Sequence, residues 1–99
     1  MFARVHTLET TPEQDDQGLR VVTEEILPWL RDSTGFRGLI RLASRATGQV
    51  LTVSLWATEE SLRNSAEAAR QISELSAAGV GATLLAVTEY EVTMFDVQP

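Results

Sequence analysis

The chain has 99 residues, 43% hydrophobic and 22% charged, with a formal net charge of −6, no cysteine and eight basic residues that are all arginine. The missing cysteines exclude disulfides, thiolate nucleophiles and cysteine-held metal, and the missing lysines exclude Schiff-base and pyridoxal-phosphate chemistry. An acidic chain without a basic cluster has nothing to release counterions from a phosphate backbone or to hold an anionic membrane, so neither nucleic acid nor membrane is an expected partner.

The first predicted element is a strand from Phe2 to Leu8, rich in β-branched and aromatic residues and closed by Glu9-Thr10-Thr11. Thr11-Pro12-Glu13-Gln14 then combines a Thr cap, Pro at the first helical position and Gln three residues past the cap. Leu19, Val22, Ile26 and Leu30 recur at helical spacing behind it, and Pro28 is expected to end or kink the helix near Leu27. Gly35 marks a turn into a strand from Phe36 to Ser44, and Arg45-Ala46-Thr47-Gly48 links it to a second strand, Gln49 to Trp56, as an antiparallel hairpin. Thr58-Glu59-Glu60 opens a helix to Ser76 whose apolar face is Leu62, Ala66, Ala69, Ile72 and Leu75 and which ends at Ala77-Ala78-Gly79-Val80-Gly81. Thr83 to Val97 reads as one long last strand, able to outreach its own sheet.

The order β-α-β-β-α-β predicts an α+β, ferredoxin-like antiparallel sheet with two helices on one face, formed as a single domain over residues 1–99. The start Met1-Phe2-Ala3-Arg4-Val5-His6 lacks a signal-peptide pattern and no apolar run reaches the ~18 residues of a membrane span, so a cytoplasmic location is expected. Alternation along the strands predicts that Leu51, Val53 and Leu55 face the helices. A second face then holds Phe2, Leu8, Leu39, Val50, Trp56 and Phe95, interspersed with Arg4, His6, Arg41, Thr52 and Ser54. That face is too apolar to leave in water, and a second copy of the chain is the simplest cover, giving a homodimer.

The element order, Pro28 closing the first helix, Gly35-Phe36-Arg37-Gly38 entering the second strand and Leu55-Trp56-Ala57-Thr58-Glu59-Glu60-Ser61 joining the third strand to the second helix together resemble antibiotic biosynthesis monooxygenase-like domains of the dimeric α/β-barrel superfamily. The resemblance implies a dimeric α/β barrel. It also implies an activity among cofactor-independent oxygenases of polycyclic aromatic phenols or haem-degrading oxygenases. Trp56 matches the tryptophan at the strand end, whereas Thr52 stands where the aromatic-polyketide oxygenases tend to place an Asn. Haem-degrading members hold iron with a His on the second helix, and Glu59 to Ser76 contains none, so no cofactor is expected.

His6, the sole histidine, is the candidate catalytic residue, a proton acceptor for a phenol about to react with oxygen; the alternative is a histidine merely hydrogen-bonded inside the dimer. One histidine is too few for a multi-His metal site. Trp56 and Tyr90 are candidate walls of a planar-aromatic pocket, with packing as the alternative for Trp56. Thr52 and Arg41 are further candidate substrate contacts. Arg4, Arg37 and Arg41 suit a carboxylate or phenolate, or else pair with Glu89 or Glu91. Two functions follow: a small cofactor-independent monooxygenase of a planar phenol- or quinol-type aromatic substrate, or a non-catalytic homodimeric binding or interaction module for a small apolar ligand.

Overall fold

The structure is a computed structural model and describes residues 1–67, 69–70 and 81–99. Its elements are β1 (Phe2–Glu9), α1 (Pro12–Val21), a π-helical turn (Val22–Ile26), α2 (Leu27–Arg31), β2 (Phe36–Ser44), β3 (Gln49–Trp56), α3 (Glu59–Asn64) and β4 (Thr83–Glu91). The four strands form one antiparallel sheet in the order β2-β3-β1-β4, the predicted ferredoxin-like arrangement.

Both helix starts form as the residues dictate. The Thr11 hydroxyl accepts from the Gln14 backbone N–H while the Gln14 side chain accepts from the Thr11 N–H, and Thr58 and Ser61 make the same reciprocal pair at α3. Pro28 bends the first helix instead of ending it. Having no N–H, it leaves the turn before it without a regular i to i−4 bond, and the chain widens so that the Leu27 N–H reaches back to the Val22 carbonyl. Regular helix then resumes to Arg31. Gly35, at φ 80°, turns the chain into β2, and a Cβ there would lie 2.4 Å from the Ser61 Cβ, so the turn presses directly on α3.

Two expectations need correction and one lies partly out of view. The last strand stops at Glu91, not Val97, because its partner β1 starts at Phe2; the Val92 N–H to the Met1 carbonyl is the last bond, and residues 92–99 carry exposed Met94, Phe95 and Val97. Helical residues continue past Ser65 at Ala66, Glu67, Ala69 and Arg70, whereas the predicted Ile72, Leu75 and helix end lie outside the described residues, save Gly81. No described helix is long and apolar enough to cross a membrane.

The second correction concerns the sheet faces. Leu30, Trp56 and Leu62 form the core cluster, with Phe2, Ile26, Trp29, Phe36 and Leu39 packed against it. The helices therefore cover the face of Val50, Ser54 and Trp56, and not that of Leu51 and Val53. A crossover between parallel strands is right-handed, so the path of the chain decides which face receives a helix, however apolar the other one is. A bulge between Phe36 and Gly38 adds to the misreading, since it puts Phe36 on the same side as Leu39. The uncovered face carries Ile40, Leu42 and Tyr90, 42%, 51% and 55% exposed.

Candidate functional site

Three polar residues line up across the covered face. His6 of β1 is in register with Thr52 of β3, and Thr52 with Arg41 of β2, so the three form one transverse row at the strand spacing of about 4.8 Å. They line a cavity of about 80 Å³ between sheet and helix. Its other walls are mainly apolar, with Leu8, Leu39 and Val50 on the sheet and Val22, Ile26 and Trp29 on the helical side, and include the polar Thr10, Gln14 and Ser54. The π-helical turn and the residues either side of it supply much of that helical wall.

His6 is 7% exposed, and its Nε2 has no hydrogen-bond partner among the described residues. A buried polar atom left unpaired costs about 1–3 kcal/mol, so a ligand hydroxyl that paired with this nitrogen would gain by removing that cost. Burial, reinforced by the positive charge of Arg4, lowers the pKa of His6 from 6.5 to about 4. The imidazole is therefore neutral at neutral pH.

Arg4, two residues before His6 on β1, lies on the same face and reaches the end of α3. Its guanidinium donates to Ser65 Oγ at 3.0 Å and to the Leu62 carbonyl at 2.5 Å, stands 3.5 Å from Glu89 and lies 5.9 Å from the Trp56 ring centroid. Burial lowers its pKa and Glu89 opposes the shift. The role is structural, since it ties β1 to the end of α3. Trp56 is fully buried, donates from Nε1 to Ser54 Oγ at 3.0 Å and meets Phe36 edge-on with centroids 5.6 Å apart. It is a packing anchor beside the cavity and does not line it.

Of the predicted site residues, the structure brings His6, Thr52 and Arg41 together and sets Tyr90 apart. Tyr90 pairs with Ala3, whose side chain points to the uncovered face, so it is no wall of this cavity. The predicted Arg–Glu pairing holds for Arg4 with Glu89 but not for Arg41, which crosses to the helix instead. Its Nη2 donates to Asp15 Oδ1 at 2.5 Å and to the Asp15 carbonyl at 3.4 Å. Arg37 is exposed. Asp15 and Gly18 were missed by the sequence reading, although a glycine inside a capped amphipathic helix, costing about 1 kcal/mol relative to Ala, was a visible sign of close approach. A Cβ at Gly18 would lie 3.2 Å from Arg41 Nη2. No group of three or more metal-ligating side chains occurs among the described residues.

No protein-family model matches the chain. It is 31% identical over 77 residues to the uncharacterised protein Rv2558 of Mycobacterium tuberculosis, covering 78% of this chain and 33% of that protein. Rv2557 of the same organism is 30% identical over 92 residues, 93% of this chain and 41% of that one. The chain thus spans about a third to two fifths of the curated relatives it matches.

Among solved structures, a monooxygenase from the gene ActVA-Orf6 of Streptomyces coelicolor, in complex with nanaomycin D, superposes with a TM-score of 0.73 at 19% identity, over 99% of this chain and 91% of that one. A Deinococcus radiodurans protein classed as an antibiotic biosynthesis monooxygenase gives 0.71 at 17% identity, with both chains covered in full. A dimeric ferredoxin-like protein from an uncultured marine organism gives 0.57 at 10% identity over 98% of each chain. The structural neighbours are thus antibiotic biosynthesis monooxygenases and dimeric ferredoxin-like proteins, and the chain has their fold.

Proposed function

We propose that this chain is a cofactor-independent monooxygenase of a planar phenol- or quinol-type aromatic, bound between sheet and helix with its hydroxyl on His6 Nε2. The observation that carries this reading is the buried Nε2, unpartnered among the described residues, at the wall of a cavity whose other polar lining includes Thr52 and Arg41 and whose remaining walls are mainly apolar. Flat apolar walls suit a ring, and one hydrogen bond to the orphaned nitrogen fixes its orientation. The fold shared with monooxygenases supports the reaction class.

The depressed pKa limits what His6 does. A phenol ionises near ~10, so full transfer of its proton to an imidazole of pKa about 4 is uphill by about 8 kcal/mol for the separated groups. His6 therefore holds the phenol proton in a hydrogen bond, and the proton moves only as oxygen attacks and the ring becomes more acidic. The overall change balances as ring C–H plus phenol O–H plus O₂ giving a quinone and water, with the ring supplying all four electrons.

We further propose that the uncovered face, with Ile40, Leu42 and Tyr90 exposed, packs against a second copy of the chain. Oxygen consumption with a panel of phenols, quinols and anthrones tests the enzymatic reading. Turnover by the parent that falls at least ~100-fold in His6→Leu supports it. Binding of the same compounds without oxygen uptake replaces it with a non-catalytic aromatic-binding dimer, and neither binding nor uptake ends both readings.

A further inference from the structure

We infer that Arg41, held by Asp15 against Gly18, is a specificity-determining residue that reads a carbonyl oxygen, so that the site selects an uncharged, single-ring phenol bearing a carbonyl group across the ring from its hydroxyl. The inference rests on the proposed binding of a phenol at His6 and adds size, charge and a second polar contact.

Size comes from the cavity. At about 80 Å³ it is smaller than the ~150 Å³ of an engineered cavity that takes benzene and far below the ~300–1,000 Å³ of pockets for drug-sized ligands. A single ring comes nearer to the cavity's volume than three fused rings do.

Charge comes from pairing. Arg41 Nη2 lies 2.5 Å from the Asp15 carboxylate, and their side chains are 13% and 21% exposed, so the one cation on the cavity wall among the described residues already has its counter-ion. Bringing a ligand carboxylate to the same guanidinium would leave a net negative charge in a poorly solvated space. A neutral carbonyl accepts a hydrogen bond there without that penalty. Both bonds fixing the guanidinium run through Nη2, which leaves Nε and Nη1 as donors without a hydrogen-bond partner among the described residues.

The second contact comes from register. His6, Thr52 and Arg41 stand on three neighbouring strands, which puts the outer two Cα atoms on the order of 10 Å apart, with both side chains reaching into the same space. A ring between them meets the neutral imidazole at one edge and the guanidinium at the other. A hydroxyl serves His6 Nε2 whichever ring nitrogen carries the proton, since it both donates and accepts. Gly18 supports the arrangement: a glycine in the middle of α1 weakens the helix, yet any side chain there would push Arg41 Nη2 away.

The test is equilibrium binding of four compounds, 4-methylphenol, 4-hydroxyacetophenone, 4-hydroxybenzoate and a hydroxyanthrone, followed by calorimetry and by tryptophan fluorescence, since Trp29 lines the cavity. The parent should bind 4-hydroxyacetophenone about tenfold tighter than 4-methylphenol and should bind 4-hydroxybenzoate most weakly of the single-ring compounds. Arg41→Gln should remove the advantage of the ketone. Asp15→Asn, a change at a partly exposed helix position, should raise the affinity ratio of benzoate to ketone at least about tenfold by freeing the cation. Gly18→Ala should keep the fold and lower the ketone preference. The inference is overturned if the parent prefers 4-hydroxybenzoate, if Asp15→Asn leaves the ratio unchanged, or if only the anthrone binds. Tight binding of 4-methylphenol with no gain for the ketone removes this inference and leaves the proposed phenol site standing, whereas failure of all four compounds removes both.

Discussion

Replacing His6 by leucine separates a histidine kept for a ligand from one kept for stability. The imidazole is buried, with an unpartnered Nε2, so at pH 7.5 the apolar side chain removes an unsatisfied group and should leave the protein as stable as the parent, or more stable by about 1–3 kcal/mol. Acidification should widen the gap. The unfolded chain takes up a proton at His6 near pH 6.5, while the folded chain resists it until about pH 4. Between those values the unfolded state binds more protons, so the parent's stability is intact above pH 6.5, falls as pH drops towards 4, and loses no more from this group below that. The drop from 6.5 to about 4 makes the loss at pH 4 about 3 kcal/mol, a sizeable share of the ~5–15 kcal/mol that holds a typical domain together. His6→Leu lacks that loss and retains the contribution of every carboxylate, so the difference between parent and variant isolates it. Urea unfolding of both proteins at several values between pH 7.5 and 4 reads it directly. Parallel stability curves, or a variant markedly weaker than the parent at pH 7.5, would refute the claim that the imidazole is a buried, unpaired group.

Arg4→Met should cost about 2–4 kcal/mol in urea unfolding, because the bonds to Ser65 and the Leu62 carbonyl that join β1 to α3 are lost. In the same variant the NMR titration of the single histidine should move to higher pH, since one of the two causes depressing His6 is gone; an unmoved titration would show that Arg4 exerts no field there. Ile40→Glu or Leu42→Glu, both on the uncovered face, should convert the proposed dimer to monomer in sedimentation without altering ligand-induced tryptophan fluorescence. A parent that sediments as a monomer at micromolar concentration would refute the proposed pairing.

Much of the fold was legible because its local signals are steric and independent of the rest of the chain. Thr11-Pro12-Glu13-Gln14 and Thr58 satisfy orphaned helix N–H groups with their own side chains, and Gly35 takes a backbone conformation that other residues avoid, so these positions declare element boundaries before any packing exists. The bend at Pro28 was legible as an interruption but not as a π-helical turn, because the choice between ending and widening is made by the apolar residues on either side, Val22, Ile26 and Leu30, which have a sheet to bury against.

The choice of face was not legible from hydrophobicity, and the cause lies in the site itself. Leu51, Val53 and Leu55 were the more uniformly apolar row, which made them the expected floor for the helices. The row that lies beneath the helices holds Thr52, Ser54 and their neighbours His6 and Arg41. On the proposed reading, an inner face that holds a ligand needs polar atoms there and an outer face that meets a second copy needs grease outside, so each role inverts the usual contrast. The grouping of His6, Thr52 and Arg41 survived the inversion, since the three share one face whichever way the sheet is turned. Tyr90 did not, because it pairs with Ala3 and so lies on the opposite face of β4 from Val87, the partner of His6, and Asp15 entered the site only through the length of the Arg41 side chain. The polar row was readable as a row, and only the direction in which it points required the chain's path.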